Sequence, residues 1–428
     1  MGRQLQRESL VTGGRLRVGI FTVRDLSVAG GSLMRIVGTT QHLQENGCQV
    51  DLFAPTFTSQ LEGRVRYVPL AGACRRHGLS STYVAYPTLL APLKLMRSDS
   101  ALAALIRGQG IDVIHAHQHP AGVRLLKIAD RIGIPIILDV HGILGLQADD
   151  HRAVTRNPLY VPYLLRMERN LFRGVDALFV RTESERAYIG RQFGVAAERI
   201  HIVPDATDVE FLGSPVSAAE LAAFGAELGL DAKRIILFGG EFKAQSGLLD
   251  LVEAYGLLKA RRPDVALLLL GDGMLMPRVE ETIQRTGLSD VVLLGRQPRE
   301  RLRLCQQLAD VVVTPEIQSV YNELALPLKL LDCLASGRPA VATRIACHAS
   351  IIEDGVNGFL VQAGDPVDMA AGLERALDAG PDGDVARRGR ATVRERYSWR
   401  QSAQEAERAY RTVVALARSR AASGRRQR

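Results

Sequence analysis

RIILFGGEFKAQSGLLDLVEAYGLLKARRPDVALLLLGDG, residues 234–273, holds a whole fold unit. An apolar run over 235–238 ends in Gly239-Gly240, an amphipathic stretch occupies 247–259, and a wholly apolar run fills 265–270. Two runs of strand length joined by a segment of helix length predict a crossover between parallel strands. A strand without polar alternation is buried on both faces, so helices should cover each side of the sheet.

The same grammar extends outward. Downstream it predicts a helix over 277–286, a strand over 291–294, a helix over 299–308, a strand over 311–313, a helix over 329–336 and a strand over 340–342. Upstream, strands are expected at 17–23, 49–54, 111–115, 135–140, 177–180 and 200–203, with helices at 30–47 and 122–131. The pattern pauses after Pro204 through DATDVEFLGSPVSAAE, which puts a boundary near 205–232. A last helix over 399–417 carries Ala403, Ala406, Tyr410 and Val413 at helical spacing. The expected organisation is a Rossmann-like domain over 1–210, a second over 211–397, and a terminal helix with a basic tail over 398–428 that packs back across both. The fold class is α/β, two facing doubly wound parallel sheets. Ligands of such sheets sit outside the carboxyl ends of the strands, so an interdomain cleft is the expected site.

Composition narrows the function. The 428 residues suffice for two or three domains, and 46% hydrophobic with 23% charged residues excludes wholesale disorder and fibrous repeats. The five cysteines, Cys48, Cys74, Cys305, Cys333 and Cys347, form no C-x-x-C pair and are too sparse for a disulfide framework or closed zinc site. No apolar run reaches the roughly 18 to 20 residues of a membrane span, and no signal-type apolar segment follows the basic N-terminus. A cytoplasmic protein is expected. Lys and Arg exceed Asp and Glu by 54 to 46, which favours anionic partners: nucleotide phosphates, anionic lipid or nucleic acid. With 5% aromatics and no interleaving of Arg with aromatic residues, nucleic acid ranks last.

Several loops carry candidate chemistry. Gly30-Gly31 follows a strand and opens a helix, where free N–H groups favour phosphate; a plain tight turn is the alternative. His115, His117 and His119 alternate at a strand end, and strand-end packing is preferred there over a metal site. His141 stands at the mouth of the next loop, able to bond a sugar hydroxyl or to cap. Gly239-Gly240, Lys243 and Ser246-Gly247 form a second anion-binding pattern, and Gly271-Asp272-Gly273 permits close backbone approach. In TPEIQSVYNELALPLKLLDCLASGRPAVAT, residues 314–343, Lys329 and Asp332 lie three apart on one helix face. They present a cation for phosphate and an acceptor for ribose, or else an ordinary ion pair, which their apolar setting disfavours. Asp382-Gly383-Asp384 resembles a metal-binding D-x-D but sits in a Pro/Gly turn.

In chain order these segments resemble the retaining, nucleotide-sugar-dependent glycosyltransferases of family 4, which have the GT-B fold. The likeness runs through AGGSLMRIVGTTQHLQENGCQVDLFAP, IDVIHAH, GIPIILDVHG, IHIVPDATDVEFL, LLLLGDGM, ADVVVTPE, LDCLASGRPAVAT, IIEDGVNGFLVQAGDP and YSWRQSAQEAERAY, nearly the whole chain. It implies sugar transfer from a nucleoside diphosphate sugar with retention, without metal or cofactor. The acceptor it implies is a glycan or lipid-linked molecule of bacterial-type surface polysaccharide or glycoconjugate synthesis. Gly30 and Gly31 would face diphosphate or acceptor, His141 the donor sugar and Asp332 the ribose, while Lys329 matches the family's P-x-K-x-x-E variant beginning at Pro327. The residues expected to act are His141, Lys243, Glu323 and Lys329. Gly30, Gly31, Gly240, Gly271, Asp272, Gly273, Arg296, Glu316, Pro327 and Asp332 are expected to contact substrate.

Three motifs depart from the family pattern. Glu241 and Ser246 stand where its diphosphate-binding Arg and Lys usually stand, leaving Lys243 and Arg296 as substitutes. Leu324 occupies the place of the first acidic residue of the E-x7-E motif, which turns attention to Glu316 and Glu323 for the donor sugar. Pro204-Asp205-Ala206 replaces the usual hinge PNG. These departures define a competing expectation, a non-catalytic GT-B chain serving as partner or scaffold. Separately, YVAYPTLLAPLKLMR over 83–97, with Arg75, Arg76, Lys94 and Arg97, has the composition of a peripheral contact with anionic membrane or of an ordinary packed helix.

Overall fold

The computed structural model describes residues 15–26, 31–70, 91–146, 159–326 and 328–426, with backbone alone for 31–32, 91–98, 421 and 424–426. The chain divides into two compact units, one of residues 1–204 with 399–428, the other of residues 205–398.

Among its described residues the first unit has a seven-stranded parallel sheet. Its strands are β1 (Arg17–Phe21), β2 (Gln49–Ala54), β3 (Arg66–Pro69), β4 (Val113–His117), β5 (Ile136–Asp139), β6 (Ala177–Val180) and β7 (Ile200–Ile202), in the order β3-β2-β1-β4-β5-β6-β7. The second unit has six parallel strands, β8 (Arg234–Gly239), β9 (Val265–Leu270), β10 (Val291–Gly295), β11 (Val311–Thr314), β12 (Ala340–Thr343) and β13 (Phe359–Val361), in the order β10-β9-β8-β11-β12-β13. Both are doubly wound, and strand order reverses between β1 and β4 in one and between β8 and β11 in the other. Every residue of β9 is buried, as its unbroken apolar run requires, and separate apolar clusters fill the two faces of the second sheet.

Boundaries move where local chemistry outweighs hydrophobic pattern. The helix expected over 122–131 instead spans Gln118–Leu126 directly after β4, followed by a short turn, Ala129–Ile132, closed by Gly133 in the left-handed conformation. His117 therefore stands at the junction of strand and helix, and Gln118 takes a positive φ of 70° to make the corner. The terminal helix runs longer than its apolar stripe, Trp399–Arg426. Its buried residues Ala403, Ala406, Ala409, Tyr410, Val413 and Val414 join the core of the first unit. Its start lies so close to the helix Gly31–Glu45 that a Cβ on Gly38 would come within 2.3 Å of the Trp399 ring. Among the described residues no helix is long and apolar enough to cross a membrane. Of the segment 83–97, residues 83–90 and all side chains lie outside the described residues.

Candidate active site

In the second unit, the loops leaving β8, β9 and β11 meet at the reversal of strand order. Gly271 has φ +135°, and a Cβ there would stand 1.7 Å from the Gly240 carbonyl oxygen, so the loops after β8 and β9 touch backbone to backbone. Phe242, fully buried, anchors the first loop, and its N–H donates to the Asp272 carbonyl at 3.0 Å. Gly247, at φ +64°, allows the same closeness to the Pro315 carbonyl, where a Cβ would meet oxygen at 1.7 Å. These glycines hold three strand ends in one compact floor.

Lys329 lies across that floor. It comes from the helix Leu328–Ala335, and its stem covers Gly240 so tightly that a Cβ on the glycine would be 2.7 Å from Lys329 Cδ. Its Nζ donates to Glu316 Oε1 at 3.1 Å and lies 5.5 Å from the centre of the Phe238 ring. The other carboxylate oxygen of Glu316 is 3.0 Å from His348 Nε2, and His348 Nδ1 is 2.8 Å from the Thr343 carbonyl. The Thr343 hydroxyl donates to the Glu316 carbonyl at 2.6 Å, closing the network. Burial alone would raise the Glu316 carboxyl, but the Lys329 charge and the His348 contact outweigh it and hold the carboxyl well below its usual range. Asp332, one turn further on, has a separate partner: Thr207 Oγ1 donates to it at 2.5 Å. Burial pushes the Asp332 carboxyl up to about 6, although Thr207 and Arg299 favour the ionised form. Lys329 thus pairs with Glu316 and not with its helix neighbour Asp332.

The remaining sequence candidates scatter. Glu241 is exposed, while Ser246 is buried and donates through Oγ to the Glu241 carbonyl at 2.7 Å, so neither supplies positive charge. Lys243 Nζ lies over the Tyr321 ring at 5.7 Å. Glu323 accepts the Ala346 N–H at 2.5 Å, capping a short helix, so Glu316 is the acidic residue brought to Lys329. Asp272 is exposed and bonds the N–H of Gly273, and Arg296 is exposed after β10. Gly31 opens its helix as expected; Gly30 and Pro327 lie outside the described residues.

In the first unit, Asp139 at the end of β5 is fully buried and held by Arg35 through two bonds, Nε to Oδ2 at 2.7 Å and Nη2 to Oδ1 at 3.0 Å. Arg35 also donates to the carbonyls of Val203 and Pro204. Burial opposes ionisation of Asp139, but Arg35 prevails and holds its carboxyl well below the ordinary value. Burial keeps His115 and His117 neutral by lowering both. The ionised Asp139 only accepts, so His115 Nε2 donates to it at 3.2 Å, leaving Nδ1 to accept the Tyr410 hydroxyl at 2.7 Å. His117 Nδ1 meets His141 Nε2 at 3.2 Å, which places His141 at the edge of this cluster. His115, His117 and Asp139 bring ligand-type atoms within 4.8 Å of one another, yet the Arg35 guanidinium already occupies both carboxylate oxygens. The arrangement orients rings more readily than it holds a metal.

Sequence reading missed His348, Thr343, Thr207 and Arg35, and took Tyr410 for a packing residue alone; all five act across sheets or between distant elements. Asp139 did carry a signal, a charge inside the apolar run PIILDV.

Two family profiles match the chain: glycosyltransferase family 4 over residues 29–211 and glycosyl transferases group 1 over residues 233–379. A D-inositol 3-phosphate glycosyltransferase of Corynebacterium urealyticum is 28% identical over 406 residues, covering 91% of this chain and 92% of that protein. The alpha-D-kanosaminyltransferase of Streptomyces kanamyceticus is 29% identical over 269 residues, 62% of this chain and 68% of that one. Anabaena Alr3699/HepE, solved in complex with UDP, superposes with a TM-score of 0.69 at 16% identity, covering 93% of this chain and all of that one, which shows likeness of fold. The chain is a member of the family 4 type of glycosyltransferases, and its two doubly wound units are those of the GT-B fold.

Proposed function

We propose that this glycosyltransferase takes a nucleoside diphosphate sugar as donor and binds it on the 205–398 unit at the reversal between β8 and β11. The carrying observation is Lys329, fixed over Gly240 by Glu316 where three strand ends meet. A cation at backbone-lined strand ends suits a diphosphate, and Asp332 on the same helix suits ribose hydroxyls. As the bond to the anomeric carbon breaks, negative charge grows on the leaving diphosphate, and Lys329 stabilises it without a metal. The family resemblance implies retention of configuration, and this reading assigns no side chain the role of base. His141, which meets His117 at 3.2 Å in the first unit, stays the candidate for the donor sugar that the family resemblance implies. The names of similar proteins support a polar, hydroxyl-rich acceptor. Cyclitol phosphates stand beside the glycan or lipid-linked acceptors of surface glycoconjugate synthesis as candidates. Peripheral contact with anionic lipid belongs to the lipid-linked case.

The competing reading, a GT-B chain that no longer transfers, is favoured by Glu241 and Ser246 in place of the diphosphate-binding cations. The test is thermal unfolding against UDP-, GDP-, ADP- and dTDP-sugars for the wild type and Lys329→Ala, followed by product analysis with inositol phosphate and lipid-linked acceptors. Donor at a hundred times its dissociation constant adds about 2.7 kcal/mol. A selective shift lost in Lys329→Ala, with transfer to any acceptor, supports the enzyme; an unshifted protein without turnover supports the non-catalytic chain.

A further inference from the structure

We propose that His348 is a positioning residue for the donor diphosphate: its proton cancels the charge of Glu316, so that Lys329 faces the ligand with its positive charge uncompensated. The inference rests on the donor site proposed above.

An isolated Lys329–Glu316 ion pair would be a poor anion site, because the carboxylate neutralises the ammonium. The protons show why this pair differs. His348 Nδ1 lies 2.8 Å from the Thr343 carbonyl, an acceptor only, so Nδ1 carries a hydrogen. His348 Nε2 lies 3.0 Å from Glu316 Oε2. A bare imidazole nitrogen and a carboxylate are both acceptors, so this contact encloses a second hydrogen, whichever of the two atoms holds it. Glu316 and His348 together are then neutral, and the three side chains carry one net positive charge. That charge stands at the Gly240 loop, where Ser246 brings no charge and the exposed Glu241 no positive one. The geometry is tightly fixed. His348 is fully buried, and the Thr343 hydroxyl ties the Glu316 carbonyl to the end of β12. Of the titratable groups nearby, the Cys347 thiol donates to the Asn322 carbonyl at 3.0 Å, Glu323 accepts the Ala346 N–H, Asp332 accepts the Thr207 hydroxyl, and Cys333 is a buried thiol on the Lys329 helix.

The test is calorimetric binding of UDP, GDP, ADP and dTDP, and of the matching nucleosides, to the full chain. The variants are His348→Ala, His348→Gln and the double variant His348→Ala/Glu316→Gln, with circular dichroism to establish folding. His348→Gln still donates to Glu316 but brings no extra proton, and it covers the case in which the alanine variant does not fold. Either single variant should weaken the bound nucleoside diphosphate tenfold or more while the nucleoside changes less than twofold. The double variant removes carboxylate and proton together, restores the net charge, and should recover most of the lost affinity. A purely structural role predicts the reverse, a double variant at least as weak as the singles and equal losses for nucleoside and diphosphate. Unchanged diphosphate affinity in a folded His348→Gln overturns the inference and leaves the donor site standing. A wild type that binds none of the four nucleotides overturns both.

Discussion

Replacing Asp332 by Asn should stabilise the protein, and by an amount that depends on pH. The Asp332 carboxyl is enclosed, with the Thr207 hydroxyl on one oxygen, and burial raises it from its ordinary 3.8 to about 6. A group whose proton is held more tightly in the folded state favours folding most at low pH. Below 3.8 both states are protonated and there is no penalty. Between 3.8 and 6 the folded chain keeps a proton that the unfolded chain has shed, and stability falls as pH rises. Above 6 the full penalty remains, roughly two pH units at 1.4 kcal/mol each, or about 3 kcal/mol. Asn still accepts the Thr207 hydrogen bond and never ionises. Asp332→Asn should therefore gain up to about 3 kcal/mol at pH 8 and only about half of that at pH 5. Urea denaturation of the full chain at the two pH values measures the gain, and hydrogen exchange of the β8 and β9 amides assigns it to the 205–398 unit. A gain of equal size at both values, or a loss at pH 8, refutes the reasoning. If Asp332 also receives ribose hydroxyls as a carboxylate, the stabilised variant should bind nucleotide more weakly, the trade expected of a strained binding group.

Other outcomes follow from the same geometry. Gly271→Ala forces a Cβ toward the Gly240 carbonyl at φ +135° and should cost more than about 3 kcal/mol, a fall in melting temperature on the order of 6 to 12 °C. Asp139→Asn leaves the Arg35 guanidinium half-paired in the core and should cost about 3 to 5 kcal/mol at pH 7. Because the Asp139 carboxyl is held below its ordinary value, the wild type keeps this contribution above pH 3.8 and loses it as pH falls further, so denaturation curves of the two proteins should converge in acid. Tyr410→Phe removes the hydroxyl that donates to His115 Nδ1 and should cost about 1 to 3 kcal/mol in denaturant titrations, since the buried nitrogen is left without a donor.

The fold was legible because its strands are buried on both faces, which writes parallel sheets into the sequence as unbroken runs such as VALLLL. The short strands β3 and β13 escaped, since RYVP and FLV are too brief to stand out from loop sequence. Of the candidate site, the glycines and Lys329 were visible from local pattern. The company Lys329 keeps was not. Glu316 is thirteen positions away, and His348 enters from beyond another strand. Neither has a spacing that a one-dimensional pattern records. Arg35 and Asp139, 104 positions apart, illustrate the same blindness to pairs made by sheet topology. Conversely, Lys243 and Glu323 had the right residue type in the right segment, but Lys243 lies over an aromatic ring and Glu323 caps a helix.

The first unit is built from two pieces of chain, residues 1–204 and the terminal helix that begins at Trp399, with the second unit inserted between them. During synthesis the first sheet must wait for that helix while about 190 residues of the inserted unit emerge, roughly 10 to 40 s at ordinary elongation rates. Throughout that interval the groove that will receive Ala403, Ala406 and Tyr410 stands open, and His115 lacks its tyrosine. The unit translated second can complete its core before the unit translated first. Premature termination near residue 398 would leave a finished 205–398 unit attached to an unfinished partner, a natural client for chaperones on the ribosome.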